Sequence, residues 1–254
     1  IVVVRQQNDE AVGSLTIKKT GEVLVGAKNV EDSLLTKMKN GIVGTINSIS
    51  EFFGKEEVIE EDSGYMFQYE KKGAEGITFE VYAKETIYTP DGQKDEAGNR
   101  KVLYEKDGLV AKLVTGKEGT VSLHNLPIGS YYLKETDVGN HHFVLDPEAK
   151  EFEIKYQGQE VAVDYVSMEL ENKRQKIELV LTKLSKETKE PVQAAVFGLY
   201  AEEDIVDLAD NVLIESGTLI AKTESAEDGS IRFDVDLPHG KYLVKELEAA
   251  PGYL

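Results

Sequence analysis

The chain has 254 residues, of which 41% are hydrophobic, so it can bury a core in one large domain or in two ordinary ones. Its formal net charge of −18 argues against nucleic-acid binding, and the absence of cysteine excludes disulfides, thiolate catalysis and cysteine-based zinc sites. No stretch approaches the roughly 20 apolar residues that would span a bilayer, and no signal peptide or sorting signal is recognisable.

The chain opens with an apolar run, Ile1 to Val4, that is typical of a β-strand. Asn8 then precedes Lys19 by eleven residues, and Asn172 precedes Lys183 by the same eleven. We therefore interpret residues 1–12 as the orphan last strand of a preceding module. The sequence is expected to be an internal fragment of a longer protein.

Three of the predicted strands end an inward-facing apolar row with a polar residue. Leu15 and Ile17 precede Lys19 at alternating positions, and the other two rows end in Glu135 and Asn172. Buried lysine, glutamate and asparagine are each costly when they stand alone. Three such residues at equivalent strand ends therefore need a joint explanation.

A segment at about residues 24–66 does not fit the strand pattern. Apolar residues from Leu34 to Phe53 follow helical spacing behind a cap at Asp32 or Ser33, which predicts an amphipathic helix. This helical insertion could cover an open edge of the sandwich. The alternative is that it binds a ligand or a partner.

The second half of the chain repeats the first. The run from Phe79 to Ala83 recurs as Phe197 to Ala201, and the Leu-Pro-x-Gly-x-Tyr-x-x-x-Glu motif that ends at Glu135 recurs with its end at Glu246. Two homologous modules are thus predicted, at residues 13–175 with the insertion and at residues 176–254. The second module is expected to lack a last strand and therefore an asparagine partner for Lys183.

These motifs resemble the collagen-adhesin B-type modules of Gram-positive pilins and adhesins, also called the pilin-type prealbumin-like fold. The resemblance implies an all-β chain of tandem immunoglobulin-like β-sandwiches. It also implies a covalent isopeptide bond between the strand-end lysine and the last-strand asparagine, with the glutamate assisting. The corresponding residues are Lys19, Asn172 and Glu135 in the first module, Lys183 and Glu246 in the second, and Asn8 as the acceptor in the tail.

The chemistry suits these residue types. Burial disfavours an ammonium, so a desolvated lysine can present a neutral amine, and a protonated glutamate can polarise the asparagine carboxamide. Lys71, at the end of another strand, is a rival nucleophile, and an ordinary buried salt bridge beside a bystander asparagine is the alternative to any reaction. The N-terminal tail could also complete the second module of a neighbouring copy by strand addition.

The sequence therefore predicts a structural stalk module of an extracellular, cell-wall-anchored surface protein or pilin, and no enzyme beyond one self-cross-linking event. The alternatives are an adhesin module that binds a host or cell-surface ligand, and an accessory domain that displays a hydrolase. Expected partners are neighbouring modules, another copy and a host ligand, with no nucleic acid and no membrane. No cofactor or metal is expected, because His141-His142 lacks a third ligand and Asp91, Asp95 and Asn99 do not match a calcium loop.

Overall fold

The computed structural model describes residues 10–30, 64–90 and 92–253, which form seventeen β-strands. The all-β class predicted from the sequence is confirmed. The described residues divide into two compact units, unit 1 at residues 10–22 and 71–175 and unit 2 at residues 23–30, 64–70 and 176–253.

The first ten strands run from the start of the described chain to Asn172. They are β1 (Val12–Asn29), β2 (Tyr65–Gly73), β3 (Thr78–Ala83), β4 (Ile87–Tyr88), β5 (Val102–Tyr104), β6 (Leu109–Val114), β7 (Thr120–Leu126), β8 (Gly129–Asp137), β9 (Lys150–Ile154) and β10 (Val163–Asn172). The remaining seven follow a short connection. They are β11 (Val180–Thr182), β12 (Val196–Ala201), β13 (Ile205–Val206), β14 (Val212–Ile214), β15 (Leu219–Glu224), β16 (Ser230–Arg232) and β17 (Tyr242–Glu248).

Unit 1 is built from two sheets whose inner faces form one core. In one sheet β1 pairs with β10, β2 and β7; in the other the order is β6-β3-β8-β9. Alternation explains the core, because every second residue of β3 is buried while Glu80 and Tyr82 face outward. The first and last strands of the unit, β1 and β10, are parallel neighbours. This pairing places the two ends of a long chain segment side by side.

Unit 2 repeats the strand pairing of unit 1 with fewer strands. Strand β12 lies between β15 and β17, as β3 lies between β6 and β8, and β11 pairs with β16 as β1 pairs with β7. Among the described residues, unit 2 has no counterpart of β9 or β10. Strand β11 therefore pairs on one side only within this part of the chain.

Strand occupies both ends of the segment for which a helical insertion was expected. Strand β1 continues to Asn29 and β2 begins at Tyr65, so residues 24–29 and 65–66 are strand and not helix. The physical reason is packing: Leu24, Ala27, Tyr65 and Phe67 contact the buried core of unit 2. The helix predicted from Asp32 to Phe53 lies outside the described residues.

A tyrosine fixes the start of the strand that carries the glutamate in each unit. The Tyr131 hydroxyl donates to the Pro127 carbonyl over 2.6 Å, and Tyr242 donates to Pro238 over the same distance. Burial raises the pKa of both phenols above the ordinary value. The Leu-Pro-x-Gly-x-Tyr motif is thus a structural device that anchors β8 and β17.

Candidate functional site

Lys19 extends an apolar row into the core of unit 1. Leu15 and Ile17 of β1 are fully buried, and Lys19, two residues further along the same face, is only 1% exposed. Its backbone is held on both sides, since its N–H donates to the Gly119 carbonyl over 2.7 Å and its carbonyl accepts from the Ala74 N–H over 3.0 Å. The side chain therefore has little freedom to turn toward solvent.

Asn172 reaches Lys19 because β10 runs parallel to β1. Lys19 lies opposite Leu170, and Gly21 lies opposite Asn172. The asparagine is therefore on the same face as the lysine, two residues further along the pair of strands. The Lys19 Nζ donates to the Asn172 Oδ1 over 2.7 Å, across 153 residues of sequence. Both side chains are buried.

Glu135 comes from the opposite sheet and contacts both partners. Strand β8 sets Glu135 opposite Phe79 of β3, and its side chain points into the core. One carboxylate oxygen, Oε2, lies 2.6 Å from the Lys19 Nζ; the other, Oε1, accepts from the Asn172 Nδ2 over 2.7 Å. The carboxylate thus bridges the lysine nitrogen and the amide nitrogen.

Two further residues complete the surroundings of this triad, and the motif comparison did not single them out for this role. The Asp146 backbone N–H donates to the Glu135 Oε1 over 3.2 Å, and the Phe79 ring centre lies 5.7 Å from the Lys19 Nζ. The Asp146 side chain is held by neighbours of its own: the Glu148 backbone N–H and the Lys150 ammonium keep its pKa below the usual value. Asp146 lies in a connection between strands, where no periodicity signals its position.

Gly119 was also overlooked, although the sequence contains a signal for it. Gly119-Thr120-Val121 recurs as Gly229-Ser230-Ile231, and both glycines have a positive φ, 71° and 74°. A Cβ on Gly119 would lie 2.1 Å from the Lys19 backbone oxygen, and one on Gly229 would lie 2.5 Å from the Lys183 oxygen. A side chain at either position would displace the lysine-bearing strand.

Lys71, the rival nucleophile, is placed away from the triad. Its side chain is 54% exposed and its ammonium pairs with Glu171, whose own side chain is 50% exposed. Alternation along β10 explains the separation, because Glu171 and Asn172 point to opposite faces. Lys19, and not Lys71, lies beside the asparagine.

Unit 2 contains the corresponding lysine and glutamate without an asparagine. The Lys183 Nζ lies 2.6 Å from the Glu246 Oε2, and 6.0 Å from the ring centre of Phe197, which faces Glu246 as Phe79 faces Glu135. Here the side chains are 26% and 34% exposed. In the described part of the chain no asparagine contacts this pair, and Asn8 lies outside the described residues.

The triad geometry permits transfer of an acyl group from one nitrogen to another. A lysine nitrogen, the carboxamide that it would attack and a carboxylate able to move protons are in mutual contact in an apolar enclosure. The same contacts would also be satisfied by a static buried ion pair with a hydrogen-bonded amide. The reaction, and not the contact, is what separates the two interpretations.

Comparison with known families identifies the fold. The profile of the SpaA prealbumin-like fold domain matches residues 68–168 and, separately, residues 177–254. These two matches cover more than half of the chain. The chain belongs to the SpaA prealbumin-like fold family. The family to which the sequence motifs pointed is therefore confirmed, and no curated protein matches the chain.

The chain is also similar to several solved structures at low sequence identity. The Bacillus anthracis TIE protein is 24% identical with a TM-score of 0.52, over 96% of this chain and 30% of that one. The chain thus spans about 30% of the length of the TIE protein. The shaft pilin SpaA of Lactobacillus rhamnosus GG is 15% identical with a TM-score of 0.31, over 96% and 90% of the chains. The major pilin subunit BcpA of Bacillus cereus is 12% identical with a TM-score of 0.27, over 94% and 88%.

Within residues 10–30, 64–90 and 92–253, no group of three or more histidine, aspartate or glutamate residues is arranged to hold a metal ion. His141 instead stacks on Phe143 and contacts the Glu75 carbonyl over 2.9 Å. The same ranges contain no helix long and apolar enough to cross a membrane.

Proposed function

We propose that this chain is a structural stalk module of a cell-wall-anchored surface protein or pilin, stabilised by an autocatalytic amide bond between the Lys19 Nζ and the Asn172 Cγ. The observation that carries the proposal is the buried triad, in which Glu135 contacts both reacting side chains. The SpaA-like family supports it, because the same lysine and glutamate positions recur in both modules. The two compact units are then two β-sandwich modules of the stalk.

The bond would form in a sequence of proton transfers through one carboxylate. Glu135 Oε2 takes a proton from the Lys19 ammonium, and the resulting amine attacks the Asn172 Cγ, forming the new N–C bond and placing charge on Oδ1. Glu135 moves a second proton from the lysine nitrogen to the amide Nδ2. The Cγ–Nδ2 bond then breaks, ammonia leaves and Glu135 returns its remaining proton to it. The balance is one ammonia, released as ammonium, for one amide bond.

Folding brings the reacting groups together and encloses them. The strands hold the reacting groups in contact, which removes the entropic cost of bringing them together. Phe79 and the inward rows of β1 and β8 enclose the triad, so the reacting groups are shielded from water. The reaction occurs once per molecule, so the role is structural and not that of an enzyme with turnover.

The position of the bond suits a protein that bears tension. Because β1 and β10 are parallel neighbours, pulling on the start of β1 and the end of β10 shears one strand along the other. A covalent link between Lys19 and Asn172 would carry that load directly and leave the intervening residues 20–171 unstretched. Neighbouring modules of the same surface protein are the expected mechanical partners. The adhesin alternative depends on the predicted helix, which lies outside the described residues.

The decisive experiment is the intact mass of the purified, denatured chain followed by peptide mapping. A deficit of one ammonia, mapped to a peptide pair that joins Lys19 to Asn172, is the expected result. The Asn172→Ala variant is the matched control and should have the mass of its plain sequence. A wild-type chain without the deficit would reduce the triad to a static polar cluster and overturn the proposal.

A further inference from the structure

The connection between β8 and β9 returns to the triad. Glu135 lies near the end of β8, which ends at Asp137, and β9 begins at Lys150. Within this connection the Asp146 backbone N–H donates to the Glu135 Oε1 over 3.2 Å, although the two residues are 11 positions apart in the sequence. The connection therefore supplies a backbone donor to a buried carboxylate.

The Asp146 N–H distinguishes the two oxygens of the Glu135 carboxylate. Oε1 accepts from two N–H groups, those of Asp146 and of the Asn172 carboxamide, while Oε2 lies 2.6 Å from the Lys19 Nζ. In this orientation the carboxylate faces the attacking nitrogen and the departing nitrogen at once. A carboxylate turned out of this orientation would lose one of these contacts, and a misplacement of about 1 Å can cost on the order of 10²-fold in rate.

Packing alone does not hold this carboxylate in place. A cavity of about 10 Å³, enough for one water-sized molecule, lies between the triad and the connection. Its lining includes Lys19, Glu135, Asp146 and Lys150. Because Glu135 borders open space on this side, its orientation depends on its hydrogen bonds.

The Asp146 side chain fixes the backbone that carries this N–H. Its Oδ1 accepts from the Glu148 N–H over 3.1 Å, which closes a tight turn, and its Oδ2 lies 3.3 Å from the Lys150 Nζ. Pro147 follows and restricts the Asp146 backbone to extended conformations. The turn therefore holds one backbone donor in place toward Glu135.

We propose that Asp146 is a positioning residue for bond formation: its turn holds the backbone N–H against the Glu135 Oε1 and thereby keeps the Glu135 Oε2 directed at the Lys19 Nζ. The inference rests on the proposed function, because it assigns a role within the same reaction. Asp146 acts through Glu135, and it neither gives nor takes a proton. Its contribution is to the rate at which the amide bond forms in folded molecules.

Cell-free synthesis of the full chain gives access to this rate. Translation is stopped, samples are unfolded at intervals, and the fraction of chains that lack one ammonia is followed by intact mass. Asp146→Ala removes both side-chain anchors of the turn, so bond formation should slow by roughly 10–100-fold relative to the wild type. Asp146→Asn keeps an oxygen that can accept from the Glu148 N–H, so this variant should recover most of the wild-type rate.

A backbone change isolates the N–H itself. Incorporation of the α-hydroxy acid that corresponds to aspartate at position 146 replaces the backbone amide by an ester. The donor to Glu135 is then lost while every side chain is kept. Bond formation should slow as it does in the Asp146→Ala chain, and this variant decides the question where the alanine variant does not fold.

Asp137→Ala is the matched control, because Asp137 closes a turn of the same kind in the same connection. Its Oδ1 accepts from the Gly139 N–H over 2.6 Å, and its side chain is exposed. Loss of this turn should leave the rate of bond formation unchanged. Both alanine changes are also made in the Asn172→Ala chain, whose free energy of unfolding reports their effect on stability without the bond. A merely structural role of Asp146 would lower that free energy and leave the rate unchanged.

The outcomes separate this proposal from the proposed function. A wild-type rate in the Asp146→Ala chain or in the ester chain would overturn the positioning role and leave the Lys19–Asn172 bond intact. An Asp146→Asn chain as slow as Asp146→Ala would also overturn it, because the charge and not the turn would then govern the rate. A wild-type chain without the ammonia deficit would instead refute the proposed function.

Discussion

Replacing Glu135 by glutamine tests whether the carboxylate performs proton transfer. Glutamine keeps the size of the side chain and an oxygen that can accept from the Asn172 Nδ2, but it cannot take a proton from the Lys19 ammonium. Positioned acid–base groups typically contribute about 10²–10⁴-fold to a rate. We therefore expect bond formation to slow by roughly that factor, and freshly purified Glu135→Gln chain to have the mass of its plain sequence.

Stability provides a second readout with a magnitude set by the loop. By analogy with a disulfide, a link across 153 residues lowers the conformational entropy of the unfolded chain and so adds about 5 kcal/mol to the free energy of unfolding. That loss corresponds to a fall of roughly 10–20 °C in the melting temperature measured by calorimetry. The variant also leaves the Lys19 ammonium buried without its counter-charge, which costs about a further 3–5 kcal/mol. The fall should therefore be at least as large as the loop alone predicts.

Glu246→Gln is the matched control, because it makes the same change at a lysine–glutamate pair that has no asparagine within the described residues. The side chains there are partly exposed, so the cost should stay below about 1 kcal/mol and the internal ammonia deficit should persist. Retention of the deficit in the Glu135→Gln chain, formed at the wild-type rate, would refute proton transfer through the carboxylate.

Three further outcomes follow from the geometry. Lys71→Gln breaks only an exposed ion pair, so the mass deficit should remain and stability should change by less than about 1 kcal/mol; a lost deficit would make Lys71 the nucleophile. Burial raises the pKa of Tyr131 and Tyr242, so as the pH rises these hydroxyls ionise in the unfolded chain before they ionise in the folded chain. The free energy of unfolding should therefore be constant with respect to these groups below about pH 10 and should fall as the pH rises further. In the Tyr131→Phe chain the free energy of unfolding should fall less steeply with pH above about pH 10 than in the wild type. An unchanged slope would contradict this expectation. Gly98→Ala is the control for Gly119→Ala, because Gly98 also has a positive φ but an added Cβ there would meet open space. Gly98→Ala should cost roughly 1 kcal/mol of stability, and Gly119→Ala should cost well over that. Equal chemical-denaturation midpoints for the two variants would contradict the close approach of Gly119 to Lys19.

Strand alternation was sufficient to find the inward-facing positions of this site. A lysine after Leu15 and Ile17, and an asparagine at the end of β10, could be assigned to the core because a period of two needs only local sequence. The parallel pairing of β1 with β10 could not be read in this way. It depends on contacts between residues more than a hundred positions apart, and the sequence supplied it only through the family resemblance.

The full length of β1 could not be predicted from local sequence either. Residues 24–29 carry no local signal that separates a continuing strand from the start of an insertion. Their apolar side chains are explained by a core that lies far along the sequence, near Ile220 and Leu237. The contact of Asp146 with Glu135 could not be predicted either, because the backbone N–H of Asp146 is positioned by the course of a loop.

The parallel pairing of β1 and β10 has a consequence for the fidelity of folding. A slip of one residue would turn Asn172 to the outer face, and a slip of two would move it by roughly 6–7 Å along the strand. In either case the lysine would find no amide to attack, so the reaction would select molecules in the correct register. The bond would thus act as a proofreading step, and the fraction of chains that lack the ammonia would measure how many strands had paired correctly.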